Sequence, residues 1–137
     1  MRPAVSLAAM KIRRYRESDH DVVWSLHNLA LQSTGANVGD GRWDDLHRIN
    51  EVYLHHGGEF FVGIQGRTIV AMGALKRSSS ERGQIKRMRV HPEFQRRGFG
   101  RAILGRLEAT ATELGYTKSD LQTTVQQVAA QKLYIQS

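Results

Sequence analysis

The sequence predicts an α/β or α+β domain built on a mixed sheet. Two observations carry this. Strand-like runs are interleaved with runs whose apolar residues recur at helical spacing. At 137 residues and 40% apolar content, the chain can also bury a real core as one compact domain.

Residues 1–9 are mildly apolar with a single arginine, too short and weak for a secretory signal, and are expected to be an N-terminal extension. A single domain is expected over residues 10–137. Lys11 to Tyr15 is strand-like. Ser18 is a favourable helix N-cap with Asp21 three residues on, and Val22, Leu26 and Leu29 follow at helical spacing. A glycine-rich loop, Ser33 to Gly41, leads to a second amphipathic helix over Trp43 to Leu54, with Trp43, Leu46, Ile49 and Tyr53 near one face.

A hairpin is expected next, from Glu59–Ile64 and Arg67–Leu75 around a Gln65-Gly66 turn. Gln84 to Val90 follows the turn at Ser78-Ser79-Ser80. Its alternation is broken: Ile85 and Met88 lie three apart, Met88 and Val90 two apart. One extra residue near Lys86-Arg87 reconciles the faces and predicts a β-bulge, against the plainer reading of an irregular strand. A helix from Gly98 places Ile103, Leu107, Ala111 and Leu114 on one face and ends at Gly115. Asp120 to Val125 is a fifth strand, and Gln126 to Gln136 a last helix.

The sequence has no cysteine, which excludes disulfides and cysteine chemistry and fits a cytoplasmic location. No window approaches the roughly 20 apolar residues of a membrane-spanning helix. The net charge of +7 is concentrated: Lys76 to Arg106 holds ten basic and two acidic side chains, +8, while the rest of the chain sums to −1. Such a local field suits a compact polyanion better than an extended nucleic-acid face.

That basicity converges on Gln95-Arg96-Arg97-Gly98-Phe99-Gly100-Arg101-Ala102, set between a strand and a helix. Glycines let a backbone approach an anion closely, and the free N–H groups of a helix start point at it. The spacing is neither the dinucleotide Gly-x-Gly-x-x-Gly nor a P-loop.

These residues resemble the GNAT superfamily of N-acetyltransferases, whose acetyl-CoA motif has the form Gln/Arg-x-x-Gly-x-Gly/Ala. Gln95, Gly98 and Gly100 supply it. Arg89-Val90-His91-Pro92 is similar to the strand end and turn before that motif. Ala130-Gln131-Lys132-Leu133-Tyr134 is similar to the family's final helix, where a tyrosine faces the thioester. The order of elements agrees from Lys11 to Tyr134.

The resemblance implies a mixed, mostly antiparallel GNAT-like sheet with flanking helices. Family members usually continue into two further strands, whereas this sequence ends at Ser137, so a sheet lacking those two is expected. Its exposed edge would be covered in a homodimer.

By the same resemblance, acetyl-CoA is the co-substrate and a primary amine of a small molecule or peptide attacks it directly. Backbone N–H groups from Arg96 to Arg101 would hold the pyrophosphate, with Phe99 and Ala102 in the same turn and Arg96, Arg97 and Arg101 near phosphates. Met88, Arg89 and Val90 would pair with the pantetheine arm, and the N–H of Val90 would polarise the acetyl carbonyl. Tyr134 would protonate the leaving thiolate, its reference pKa of about 10 keeping it protonated at neutral pH.

No base is assigned. Gln84 stands where some members carry a glutamate. Glu81 acting through water and His91 are candidates, and Asp40, Asp44 and Asp45 could hold a cationic amine. Two rivals stand beside the enzyme reading: a non-catalytic acetyl-CoA-binding regulatory module, and a basic nucleic-acid-binding domain, which the scarcity of aromatics in the basic window opposes. His55-His56 lacks the further ligands of a metal site, and Trp24 and Trp43 are expected to pack between helices.

Overall fold

A computed structural model describes residues 10–32 and 43–121. Five strands among them form one sheet in chain order: β1 Met10–Arg14, β2 Glu59–Gln65, β3 Thr68–Arg77, β4 Arg82–Val90 and β5 Lys118–Leu121. The first three pairings are antiparallel and β4–β5 is parallel. A parallel pair needs a crossover, and helix α2, Phe99–Glu113, supplies it. Helix α1, His20–Gln32, and the segment 43–54 cover the opposite face.

The two faces hold separate cores. Val23, Leu26, Leu46, Phe60 and Met72 belong to one; Phe61, Leu75, Ile85, Ile103 and Leu107 belong to the other. Burying each large aliphatic side chain contributes about 1.5–3 kcal/mol. No helix among the described residues is long and apolar enough to cross a membrane.

Several boundaries differ from the sequence expectation. Ser18 lies inside a short 3₁₀ turn, Glu17–Asp19, and does not cap α1. The capping carboxylate is that of Asp19, which accepts from the Arg16 N–H at 2.8 Å and from the Arg13 guanidinium at 2.8 and 2.9 Å. The expected helix over Trp43 to Leu54 is instead a 3₁₀ turn, Asp44–His47, and a wide π-turn, Asn50–Leu54. Arg48 breaks it with φ −141°, and this re-aims the second half so that Tyr53 drops into the core. Trp43, Leu46, Ile49 and Tyr53 are nevertheless all buried.

The hairpin turn is Gly66-Arg67, one residue later than expected, because Gln65 still pairs with Thr68. Gly66 supplies the positive φ that a II′ turn needs at its first central position. Leu114 is 49% exposed and caps α2 instead of packing beneath it. The chain leaves the helix through a Schellman motif: the N–H groups of Gly115 and Tyr116 donate to the carbonyls of Thr112 and Ala111. The fifth strand starts at Lys118, two residues early. Its expected continuation to Val125, the last helix and the Ser33–Gly41 loop lie outside the described residues.

Candidate active site

The site begins at the irregularity in β4. Met72 pairs with Arg89 and Ala74 with Lys86, so Gly73 alone faces the two residues Arg87 and Met88. This is the bulge that the broken alternation anticipated. Arg87 takes up the extra length with φ +59°, a left-handed conformation costly for a side chain. Gly73 is required opposite it. A Cβ there would lie 2.6 Å from Met88 Sδ and 2.7 Å from Ile103 Cγ2.

A network on the α1 face holds Arg87. Its guanidinium donates to both oxygens of Asp45, at 2.9 and 2.7 Å, and lies 4.6 Å over the Trp43 ring. The Tyr53 hydroxyl donates to the same carboxylate. Burial alone would raise the Asp45 pKa, but the bonds from Arg87 and Tyr53 outweigh it and hold the carboxyl below its usual range. Asp45 is thus already bound within the protein, Asp44 is exposed and Asp40 lies outside the described residues.

Arg89, the next residue on that face, donates from Nε to His27 Nδ1 at 3.3 Å. A guanidinium only donates, so Nδ1 is the accepting nitrogen and the proton sits on Nε2. That N–H is buried and has no partner among the described residues. Burial, then the charges of Arg89 and Arg87, push the His27 pKa down to about 3.

The sign of the resulting pH dependence follows. Unfolded His27 takes up a proton below about pH 6.5 whereas the folded protein does not until about 3, so stability falls as pH drops through that window. Urea unfolding at pH 6.5 and 5 should differ by roughly 1.5–2 kcal/mol from this group, and His27→Gln should flatten the slope. An unchanged slope in His27→Gln would exclude His27 as its source.

Beyond the bulge, β4 parts from its neighbour. It pairs with β5 only from Arg82 to Ile85. From Lys86 to Val90, its β5-side edge has no partner strand among the described residues. The His91 N–H donates to the Val70 carbonyl at 2.8 Å, toward β3. Alternation turns the N–H of Val90, and that of Met88, toward the open edge.

The chain then turns through Pro92–Phe94. His91 Nδ1 accepts from the Glu93 N–H at 3.1 Å, so this imidazole shapes the turn. Arg96 and Gly98 both have left-handed φ, +65° and +83°, and Gly98 is the N-cap of α2. A Cβ on Gly98 would meet nothing within 4 Å. The first N–H groups of α2 have no intrahelical partner. Arg96, Arg97 and Arg101 are exposed around it, with the Arg97 guanidinium 4.9 Å over the Phe94 ring. Phe99 and Gly100 are buried and seat the turn on the core, while Gln95 and Ala102 are exposed.

The arrangement joins the left-handed turn at the start of α2 to a strand edge that has no partner strand among the described residues. A family model for the acetyltransferase (GNAT) family matches residues 23–136. The chain belongs to the GNAT acetyltransferase family. It is an acyltransferase, and the five strands among its described residues form a mixed, mostly antiparallel sheet of the GNAT kind.

Solved GNAT-like folds superpose closely. A GNAT acetyltransferase from Staphylococcus aureus Mu50 has a TM-score of 0.87 at 22% identity, over 93% of this chain and 82% of that one. An acetyltransferase from Streptococcus agalactiae has a TM-score of 0.85 at 19% identity, over 93% and 80%. A predicted acetyltransferase from Clostridium acetobutylicum, solved with acetyl-CoA, has a TM-score of 0.75 at 18% identity, over 92% and 88%. No curated protein matches the sequence significantly.

Within this GNAT frame, Met88 to Val90 and Gln95 to Ala102 lie along one continuous edge and turn. Tyr134 lies outside the described residues. Glu81 is exposed, and its carbonyl accepts from the Thr117 and Lys118 N–H groups. His55 and His56 are exposed, and no cluster of metal-ligating side chains occurs among the described residues. Trp24 and Trp43 flank His27, with ring centroids at 5.3 and 4.8 Å. Sequence reasoning missed the burial of His27, the Asp45–Arg87 pair and the need for Gly73. Only Gly73 left a signal, as a strand glycine facing the broken alternation.

Proposed function

We propose that this chain transfers the acetyl group of acetyl-CoA to a primary amine of a small molecule or peptide by direct attack. The observation that carries the reading is the continuity between the open Met88–Val90 edge and the left-handed turn that starts α2.

The residues fit acetyl-CoA. The α2 N–H groups and the Arg96, Arg97 and Arg101 charges suit its phosphates, and the open space at Gly98 admits them. The Met88 and Val90 N–H groups suit an extended arm laid along the edge. Acetyl-CoA supplies an activated thioester. The Val90 N–H donates to the carbonyl oxygen where negative charge develops, a role that needs no side chain. Tyr134 gives its proton to the departing sulfur as the C–S bond breaks, and the attacking nitrogen loses its proton to water, which restores the tyrosine. The Clostridium relative, solved with acetyl-CoA, supports the choice of co-substrate.

A second reading, acetyl-CoA binding without turnover, is favoured by Gln84, which cannot take a proton, and by the engagement of Asp45 with Arg87. Thiol release with a panel of amines decides between them. Acetyl-CoA at a hundredfold its Kd should stabilise the fold by about 2.7 kcal/mol. Tyr134→Phe should slow turnover roughly 100-fold with this stabilisation intact. Unchanged turnover rejects the acid role, and thiol release absent for every amine rejects the enzyme.

A further inference from the structure

A groove outside the cofactor edge opens between the end of the 43–54 segment and the end of β3. Arg48, Val52, His55, Lys76 and Arg77 are among the residues that line it. Lys76 pairs with Gln84, and Ala74 with Lys86, so Lys76, Gln84 and Lys86 project from the same sheet face. Arg87 and Arg89 lie further along that face, against Asp45 and His27.

The charges do not balance. Arg48 has Glu51 at 3.5 Å and Arg87 has Asp45. Lys76 and Lys86 have no hydrogen-bond or ion-pair partner among the described residues. Lys86 is half-buried, and its pKa is lowered, first by burial and then by Arg87, with the Asp45 carboxylate only partly offsetting them. A half-buried ammonium crowded by a guanidinium and without an ion pair gains from an added anion, and Lys76 is exposed beside it.

Resting on the acetyl-transfer reading above, we infer that the acceptor is an acidic peptide, its amine at the Val90 edge and its carboxylates on Lys86 and Lys76. The spacing favours a peptide over a compact metabolite. At about 3.3 Å per residue, Lys86 and Gln84 lie roughly 10–20 Å from Val90 along β4. An extended peptide has the same rise, so its fourth to seventh residues would reach them. Glu51 in the groove wall, and the lack of Phe, Tyr or Trp there, disfavour a nucleic-acid strand.

The test is fluorescence anisotropy of labelled eight-residue peptides, one with Asp and Glu at its fourth to seventh positions and one with Asn and Gln. It is run with saturating CoA so that the cofactor turn is occupied. The acidic peptide should bind at least about tenfold tighter at low salt, with the preference fading as salt rises. Lys76→Gln with Lys86→Gln should erase the preference, and the Arg replacements of both should keep it. Thermal shift by acetyl-CoA reports the fold of each variant.

Equal binding of the two peptides overturns the inference, as does a preference that survives the double Gln variant. Tighter binding of a charge-matched oligonucleotide through the same two lysines overturns the peptide assignment. Because binding is read directly, failure of turnover alone would fall on the acetyl-transfer reading.

Discussion

Asp45→Ala is expected to lower the stability of the protein by about 3–5 kcal/mol, the cost of stranding a buried charge. The Arg87 side chain is 10% exposed and that of Asp45 16%. Without the carboxylate, Arg87 keeps its desolvation cost and its left-handed φ of +59°, and the Tyr53 hydroxyl loses its acceptor. The same substitution should loosen the bulge and so weaken acetyl-CoA binding.

Urea unfolding measures the stability loss as a lower midpoint at unchanged slope. Asp45→Leu with Arg87→Met, which removes both charges, should be less damaging than Asp45→Ala. A loss under about 1 kcal/mol in Asp45→Ala would mean that water, not the carboxylate, satisfies Arg87. Because the folded Asp45 pKa is depressed, its contribution is present above the ordinary carboxylate pKa and fades as pH falls through the folded value.

The bulge was legible in the sequence, and the network that holds it was not. Side-chain alternation has a fixed period, so Ile85, Met88 and Val90 can share a face only if one residue is extra. Nothing in local pattern links Asp45 to Arg87, 42 positions apart, or Arg14 to Glu59, 45 apart. Such pairs are chosen by tertiary approach. The 43–54 segment shows a related limit. Burial at Trp43, Leu46, Ile49 and Tyr53 has spacings of three, three and four, which a helix and a broken pair of turns satisfy equally. The pattern therefore found the buried residues and misjudged the backbone that carries them. The left-handed turn before α2 was legible because glycine is tied to a backbone conformation: Gly98 has a positive φ.

Gly98→Val is the substitution expected to separate binding from folding most cleanly. At φ +83° a side chain costs about 1–2 kcal/mol, a loss that a domain of this size tolerates. No heavy atom lies within 4 Å of the added Cβ, so packing is not at stake. The new methyl groups instead enter the open space in front of the first N–H groups of α2, where an anion would sit. Affinity for acetyl-CoA should fall at least roughly 100-fold, or about 2.7 kcal/mol, and the thermal shift should vanish. Gly105→Ala is the control on the same helix. It is exposed, has ordinary φ and has no neighbour within 4 Å of its Cβ, so it should gain about 0.5–1 kcal/mol without changing the affinity. If Gly98→Val binds acetyl-CoA as tightly as the unaltered protein, the pyrophosphate does not lie on this turn. The arginines around it would then act only through their long-range field, and the open edge of β4 would have to hold the cofactor alone.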